Sequence, residues 1–372
     1  MGVLLDDAGL TQRIFDHIEN KTTDLGEGLW REPVANYSSE ERLKAEIETV
    51  LRTSPVPFCP SAAIPNAGDY VAREAAGVPI VVVRERDGTA RGYRNACRHR
   101  GMPLVEGQGC TMAFACPYHG WTYSLDGTLR HVPDEHGFPG LDKSQHNLAP
   151  VKVEEVSGLV FVTQDESADA PKLGDMPPLI AADQRIFSMN ESIIDANWKV
   201  FMEGFIEGYH IKAAHPDTFY PYGFDNLNVV EYFGPHSRVT YPFQRINKLK
   251  AVEPAARRVD GMVTLVYHLF PNALVTVLSS HTSLVVLEPI SLTQTRLVSY
   301  TMTNRPMGDR DAEEAAKRDA AFVNQTGAAE DRAIVMAIQK GLGSGANEAF
   351  TFGRFEGAIV HFHKQLSERL SR

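Results

Sequence analysis

The sequence predicts an α+β protein: a small all-β domain followed by a larger one whose antiparallel sheet is covered by helices. Three observations predict it. Between Phe58 and Thr163 the chain reads as β and carries three hairpin signals. Val78–Arg86 and Arg91–Asn95 flank Asp87-Gly88, Trp121–Leu125 and Thr128–His131 flank Asp126-Gly127, and Val151–Val156 and Leu159–Val162 flank Ser157-Gly158. Past a linker at 165–180 rich in Pro, Asp and Ala come strand-like runs at 229–233, 262–269, 274–278, 283–287 and 295–303. Several of these alternate weakly, as in a sheet covered on both sides. Helical patterns surround the strands: 8–20 and 39–52 at the start, and Ile194 to Ala214 with Trp198, Phe201, Met202, Phe205 and Tyr209 on one stripe. Asp311 to Lys340 is the last, stopped by Gly341–Gly345. Because that glycine run follows a helix and not a strand, it reads as a C-terminal stop and not a nucleotide loop.

These elements divide the chain into a helical segment 1–55 expected to pack with the second domain, a β domain 56–163, and a mixed domain 164–372. At 372 residues there is material for two substantial cores. Hydrophobic residues at 43% and charged residues at 23% are the proportions of a soluble globular protein. A net charge of −10 argues against nucleic acid or an anionic membrane as partner. No apolar run reaches the length of a membrane span, and the start lacks the basic-then-apolar pattern of a signal peptide. Asp6 stands where a myristoylation signal needs Ser or Thr. Four cysteines, two of them wanted reduced as ligands, place the protein in the cytoplasm as an expectation.

The most informative residues lie in two short loops, Cys97-Arg98-His99-Arg100-Gly101 and Cys116-Pro117-Tyr118-His119-Gly120-Trp121. Two thiolates and two imidazoles can hold zinc or an iron–sulfur cluster. Zinc knuckles pair two thiols on one turn, whereas here each loop mixes the ligand types. That is what a [2Fe–2S] centre needs if one iron takes both thiolates and the other both imidazoles. The pattern Cys-x-His-x16-Cys-x2-His, with a glycine closing each loop, resembles the Rieske domain. The resemblance implies a cluster on Cys97, His99, Cys116 and His119; structural zinc is the alternative, and a red-brown absorbance separates the two. Respiratory Rieske loops carry an extra pair of cysteines joined as a disulfide. Met102 and Tyr118 occupy those positions here, and Cys59 and Cys110 have no partner in the motif. With no bridge and fewer donors to the sulfurs, a potential toward the low end of the Rieske range is expected.

A second constellation follows about 90 residues later: Glu207-x2-His210-x4-His215-Pro216. Glu207 and His210 are spaced to share a helix face. His215 is five beyond, so the helix is expected to end between the histidines, and Pro216 disfavours helix at His215. Two histidines at a helix end with one remote carboxylate make the facial triad of non-haem Fe(II) oxygenases. Alone, His-x4-His is a weak signal. Together with the cluster loops, Asn197-Trp198-Lys199, Ala329-Glu330-Asp331-Arg332 and Gln339-Lys340-Gly341, it gives a chain that resembles the catalytic α subunit of the Rieske non-haem iron oxygenases, of the aromatic-ring-hydroxylating and quaternary-amine monooxygenase type.

That resemblance implies a helix-grip catalytic domain, a mononuclear Fe(II) held by His210, His215 and Asp331 with Glu330 as competitor for the third place, and O2 as co-substrate. It implies that residue 207 is no ligand but bridges the iron histidine of one subunit and a cluster histidine of the next, in a head-to-tail homotrimer. Two departures stand out: Glu207 where many members have Asp, and Gly204 where many have Asn. With no dinucleotide or flavin motif in the chain, electrons are expected from a separate NAD(P)H-dependent reductase, with or without a ferredoxin. Arg98, Arg100 and Tyr118 are candidate docking contacts.

Candidate pocket residues are Phe201, Met202, Phe205, Phe219, Tyr222, Phe224, Tyr267 and Leu278. This apolar set with a few hydroxyls favours hydroxylation or oxidative demethylation of a small aromatic or ring-containing substrate. The alternative is a quaternary ammonium compound, since Glu at position 207 also occurs in members acting on such compounds. A methylammonium cage prefers Trp. Trp121 stands in a cluster loop, Trp198 on the helical stripe and Trp30 in the N-terminal segment, so none is placed to build one. Insertion of one oxygen atom or two stays open; the lack of a partner-subunit signature favours a monooxygenase. From another class, the competing reading is a Rieske electron carrier without a second metal.

Overall fold

The computed structural model describes residues 4–167, 172–174, 176–306 and 310–372. They form two compact units, Arg52–Ala182 and a second assembled from Met1–Leu51 with Asp183–Arg372.

In the first unit the strands run, in sheet order, Val56–Pro60, Leu159–Thr163, Pro150–Val156, Ala90–Arg94, Val78–Arg84, Asp69–Ala75 and Gly107–Cys110. Each neighbouring pair is antiparallel. A three-stranded ribbon, Phe114–Ala115, Thr122–Tyr123 and Leu129–His131, carries the second ligand loop. The three hairpins expected from the sequence are present, their turns set by the local chemistry of Asp-Gly and Ser-Gly pairs. Val81, Val83, Tyr93, Phe114, Trp121, Tyr123 and Leu129 form one core, and Cys97 and Cys116 are part of it. Beside that core Arg84 grips Glu155 through two bonds of 2.6 and 3.0 Å.

The second unit is built on another seven-stranded antiparallel sheet: Gln184–Ile194, Gln294–Pro306, His281–Ser291, Ala273–Val277, Val263–Leu269, His236–Pro242 and Val229–Phe233. The helices are α1 (Asp7–Asn20), α2 (Ala35–Ser38), α3 (Glu40–Ala45), α4 (Trp198–Phe205), α5 (Ile211–Ala214), α6 (Arg310–Gln325), α7 (Gly327–Leu342) and α8 (Gly357–Leu370). One core joins Trp198 and Met202 of α4 to Val239, Val266 and Leu287 of the sheet and to Ile359, Phe362 and Leu366 of α8. Another joins Leu10, Ile14 and Phe15 of α1 to Val229 and Val263. The sheet is thus covered on both faces, which explains the weak alternation of its strands. Asp6 caps α1, its carboxylate accepting from the Gly9 amide at 2.8 Å, and Ser39 caps α3.

Four expectations about elements change. Strand Gln184–Ile194 has no counterpart in the sequence pattern, because most of its residues face solvent and supply no apolar alternation. His236–Pro242 also has no counterpart, for the opposite reason: its polar His, Ser and Arg are buried, against the usual pattern. The expected helix from Ile194 to Ala214 is two short helices with an irregular stretch between them. Gly208 lies in that stretch, where a Cβ would fall 2.3 Å from the Asn228 side chain. Tyr209, expected on the apolar stripe, is 60% exposed. Asp311 to Lys340 likewise divides at Thr326, whose hydroxyl bonds back to the Phe322 carbonyl at 2.6 Å.

Two candidate metal centres

The two ligand loops of the β unit are built alike. In each, the glycine amide donates to the cysteine carbonyl, Gly101 to Cys97 at 2.8 Å and Gly120 to Cys116 at 2.9 Å. The cysteine amide in turn donates to the carbonyl just past the loop, Met102 or Trp121. Gly101 and Gly120 have φ of 81° and 72°, a conformation that costs other residues free energy. The same fold of the backbone therefore presents one thiol and one imidazole from each loop. Cys97 and Cys116 are buried, while His99 is half-buried and His119 exposed. The two imidazole centroids are 4.8 Å apart. Trp121 stacks on His99 at 5.0 Å and 9°, fixing the ring.

Two thiols and two imidazoles, one of each from either loop, are the donor set of a [2Fe–2S] cluster of mixed ligation, so these residues fit the group. Burial pushes the Cys97 thiol up; a bound cation is what makes such a thiol a thiolate. Partial burial, with His119 and Arg100 alongside, holds His99 below the ordinary imidazole range. One side-chain donor stands beside the sulfurs. The Tyr123 hydroxyl lies 3.3 Å from Cys97 Sγ and accepts from the Arg98 amide at 2.9 Å, which leaves its own proton for the sulfur. No disulfide spans the loops: all four cysteines are free, and Met102 and Tyr118 are exposed.

The second constellation assembles as the sequence spacing implied, though not on a continuous helix. α4 ends at Phe205, so Glu207 and His210 meet across an irregular turn and not along a helix face. Glu207 nonetheless binds His210 at Nδ1, and its other oxygen accepts from the amides of Tyr209 and His210. α5 then carries the chain one turn to His215, which caps its C-terminal end. The start of α7 brings Asp331 to both histidines, Oδ1 lying 2.9 Å from His215 Nε2 and 3.6 Å from His210 Nε2. One ligand atom from each of His210, His215 and Asp331 falls within 4.8 Å of the others. The donor set, two imidazoles and one carboxylate with His215 buried, fits a mononuclear iron. Glu330 takes the other side of His215, its Oε2 being 2.7 Å from Nδ1.

Around the triad lie residues that carry no signal in the sequence. The Tyr241 hydroxyl lies 3.1 and 3.0 Å from the carbonyls of Phe205 and Glu207, tying the irregular turn to the sheet. On the preceding turn of α4, Glu203 accepts from the Tyr37 hydroxyl at 2.6 Å and from His363 Nε2 at 2.8 Å. Burial, reinforced by Glu207 and Glu203, holds the Glu356 carboxyl above its ordinary range. At the start of α4 the buried Lys199 ammonium bonds both oxygens of Glu46, which also accepts from Trp198.

Of the candidate pocket residues, Phe219 meets the triad, its ring centroid 5.0 Å from that of His215. Phe205 closes α4 and stacks on Phe201 at 4.9 Å, whereas Phe201 and Met202 belong to the core. Tyr222 is exposed, Phe224 packs against the α1 core, and Leu278 lies at the end of a sheet hairpin. Tyr267 sits under Arg238, on the opposite face of its strand from Val266.

A Rieske-type cluster domain joined to a domain with a 2-His-1-carboxylate site defines an iron-dependent oxygenase of two metal centres. Comparison with known proteins agrees: residues 54–156 match the Rieske [2Fe-2S] domain and residues 165–372 the ring hydroxylating alpha subunit (catalytic domain). The chain belongs to the family of ring-hydroxylating alpha subunits and is a Rieske oxygenase. It is 29% identical to the carnitine monooxygenase oxygenase subunit of Escherichia coli (strain K12), over 91% of this chain and 93% of that protein. Over 49% of its length it is 33% identical to the large oxygenase component of the naphthalene 1,2-dioxygenase system of Pseudomonas aeruginosa, 44% of which is covered. In fold it matches a quaternary ammonium Rieske monooxygenase with a TM-score of 0.79 at 22% identity, covering all of both chains. It also matches naphthalene 1,2-dioxygenase from Rhodococcus sp. with a TM-score of 0.75 at 21% identity, covering 98% of each. Among the described residues no helix is long and apolar enough to cross a membrane.

Proposed function

We propose that this oxygenase inserts one oxygen atom from O2 into a small organic substrate that is neutral or cationic. In this reading the electrons come from a separate NAD(P)H-dependent reductase, with or without a ferredoxin. The convergence of His210, His215 and Asp331 within 4.8 Å carries the reading. His210, His215 and Asp331 would hold the iron, which when bound would supply the activation of O2. The chain's own residues then have separable tasks. Asp331 supplies the anionic ligand, Phe219 excludes water beside His215, and Glu207 fixes the ring of His210 through Nδ1. The carboxylates of Glu203, Glu207, Glu330 and Glu356 surround this region, a field that disfavours an anionic group beside the iron.

For the substrate we favour a ring compound lying against Phe219 and Phe205. The second reading, a quaternary ammonium compound, is supported by relatives matched over most of the chain. Besides the carnitine enzyme, choline monooxygenase of Beta vulgaris is 25% identical over 82% of this chain and 70% of that protein. Product analysis after adding a surrogate reductase to panels of both substrate classes decides between them: a hydroxylated or demethylated ring compound supports the first, turnover confined to methylammonium compounds the second. O2 uptake without a second iron is not expected. A chain holding about two irons and no mononuclear site would be an electron carrier.

The assembly we propose is a head-to-tail homotrimer in the cytoplasm, with Glu207 bridging to a cluster histidine of the neighbouring subunit. Tyr209 and Phe355, exposed and stacked at 5.4 Å, offer an apolar surface next to Glu207. His119, Tyr118 and Met102 offer another on the cluster loops. The structure of a quaternary ammonium Rieske monooxygenase that oxidises carnitine bears on inter-subunit electron transfer in that protein. Light scattering or analytical ultracentrifugation tests the trimer.

A further inference from the structure

The geometry points to a positioning role for Glu330: it holds the His215 imidazole by Nδ1 so that Nε2 is presented to the metal beside Asp331. This rests on the reading of His210, His215 and Asp331 as iron ligands. Glu330 and Asp331 are consecutive residues at the start of α7, yet their carboxylates take opposite nitrogens of one ring. Glu330 Oε2 is 2.7 Å from Nδ1 and Asp331 Oδ1 is 2.9 Å from Nε2. A neutral imidazole has one N–H and one lone pair. With the proton on Nδ1, donated to Glu330, the lone pair on Nε2 is the ligand.

Three further contacts show that the holder is itself held. The Thr218 hydroxyl donates to the same Glu330 oxygen at 2.7 Å, so the carboxylate is oriented from the loop that follows His215. Phe219 packs against the ring at 5.0 Å and 49°. Its own ring fills the space beside Gly327, where a Cβ would fall 2.0 Å from it, so the first residue of α7 must be small for the helix to approach. The His215 side chain is 1% exposed, so water offers its Nδ1 little alternative, whereas the Glu330 side chain is 35% exposed and keeps its charge solvated.

His210 is built the same way, with Glu207 on its Nδ1. Each iron histidine therefore has a carboxylate behind it, one from the turn before α5 and one from α7. Carboxylates behind metal-bound histidines orient the ring and raise its basicity, and their removal weakens metal binding about 10–100-fold.

The experiment compares Glu330→Ala, Glu330→Gln, Thr218→Ala and Asp331→Ala in the full chain with its cluster in place. Fe(II) affinity of the mononuclear site is titrated, and its nitric oxide adduct is read by EPR. The red-brown absorbance and thermal unfolding report the fold. The expected result is an E330A chain of unchanged cluster absorbance that binds Fe(II) about 10–100-fold more weakly and has an altered EPR signal. E330Q, whose amide oxygen still accepts from Nδ1–H, recovers most of the affinity, and T218A loses a few-fold. Should E330A fail to fold, E330Q and T218A carry the test through their EPR signals. Parent-like affinity and signal in E330A, with D331A losing the metal, overturn the positioning role alone. E330Q as damaging as E330A does the same. Retention of iron by D331A with loss in E330A makes Glu330 the ligand and overturns the underlying assignment as well.

Discussion

The two metal centres are assembled by opposite means. The candidate cluster residues Cys97 and His119 are 22 positions apart in the chain, on two loops of identical backbone bonding in a small β unit. The mononuclear site draws His215 and Asp331 together across 116 positions and depends on α5 meeting α7. A local site needs only its own turns to be right. A site assembled over a long separation needs the packing of the whole unit, and each ligand is braced accordingly: Glu207 behind His210, Tyr241 on the turn between, Glu330 behind His215. The cluster site places its rigidity in glycines and a stacked tryptophan, the iron site in carboxylates and hydroxyls.

The sharpest way to separate the two centres is Asp331→Ala. Removing one of three ligands is expected to abolish mononuclear iron and turnover while the red-brown absorbance stays. Iron analysis should fall from about three to about two per chain. Loss of both metals together would show the centres to be structurally coupled. Glu207→Ala tests the proposed link between centres: assayed at saturating Fe(II), so that both centres are filled despite the lost support of His210, its steady-state turnover drops about 10–100-fold. Rapid reduction of the cluster should survive in that variant.

Smaller effects probe each centre on its own ground. Tyr123→Phe removes the hydroxyl beside Cys97 Sγ. If about 1 kcal/mol of that bond distinguishes the two redox states, the cluster potential moves about 40 mV more negative, measured by redox titration, with no change in mononuclear iron. The smallest effect expected is on the frame of the β unit. Hydrogen bonding from Arg84 holds the Glu155 carboxyl below its ordinary range. A depressed carboxylate contributes stability above its unfolded pKa, lost as pH falls through the folded one. Glu155→Gln should therefore cost about 1 kcal/mol at pH 7, modest because Glu155 is about a third exposed. The gap from the parent should close as pH falls below about 4, followed by denaturant unfolding.

Much of the β unit was legible because its hairpins are announced by adjacent residues. Asp87-Gly88, Asp126-Gly127 and Ser157-Gly158 each turn the chain where the backbone permits it. The two loops that carry the candidate cluster residues were legible for the same reason. In the second unit the readable signals were weaker. Strand Gln184–Ile194 carries no apolar alternation, and α4 stops at Phe205 although residues 206–210 could continue a helix by pattern. What stops it is Tyr241 from the sheet and the close approach of Gly208 to Asn228, neither of which has a local signature. The opposite nitrogens taken by Glu330 and Asp331 are likewise invisible in a row of letters. Adjacent residues on a helix point about 100° apart, and which carboxylate faces Nε2 is settled by where α7 lands.

The fold class and the two candidate ligand sets could be read from the letters, because ligand chemistry, turn residues and hydrophobic runs are properties of short segments. How His210 and His215 are held, where the helix before them ends, and which of two neighbouring carboxylates lies beside both of them became visible only in three dimensions. Those outcomes rest on contacts between distant parts of the chain, such as Tyr241 with Glu207, Phe219 with Gly327 and Glu330 with His215. Packing free energy, and not local propensity, fixes them.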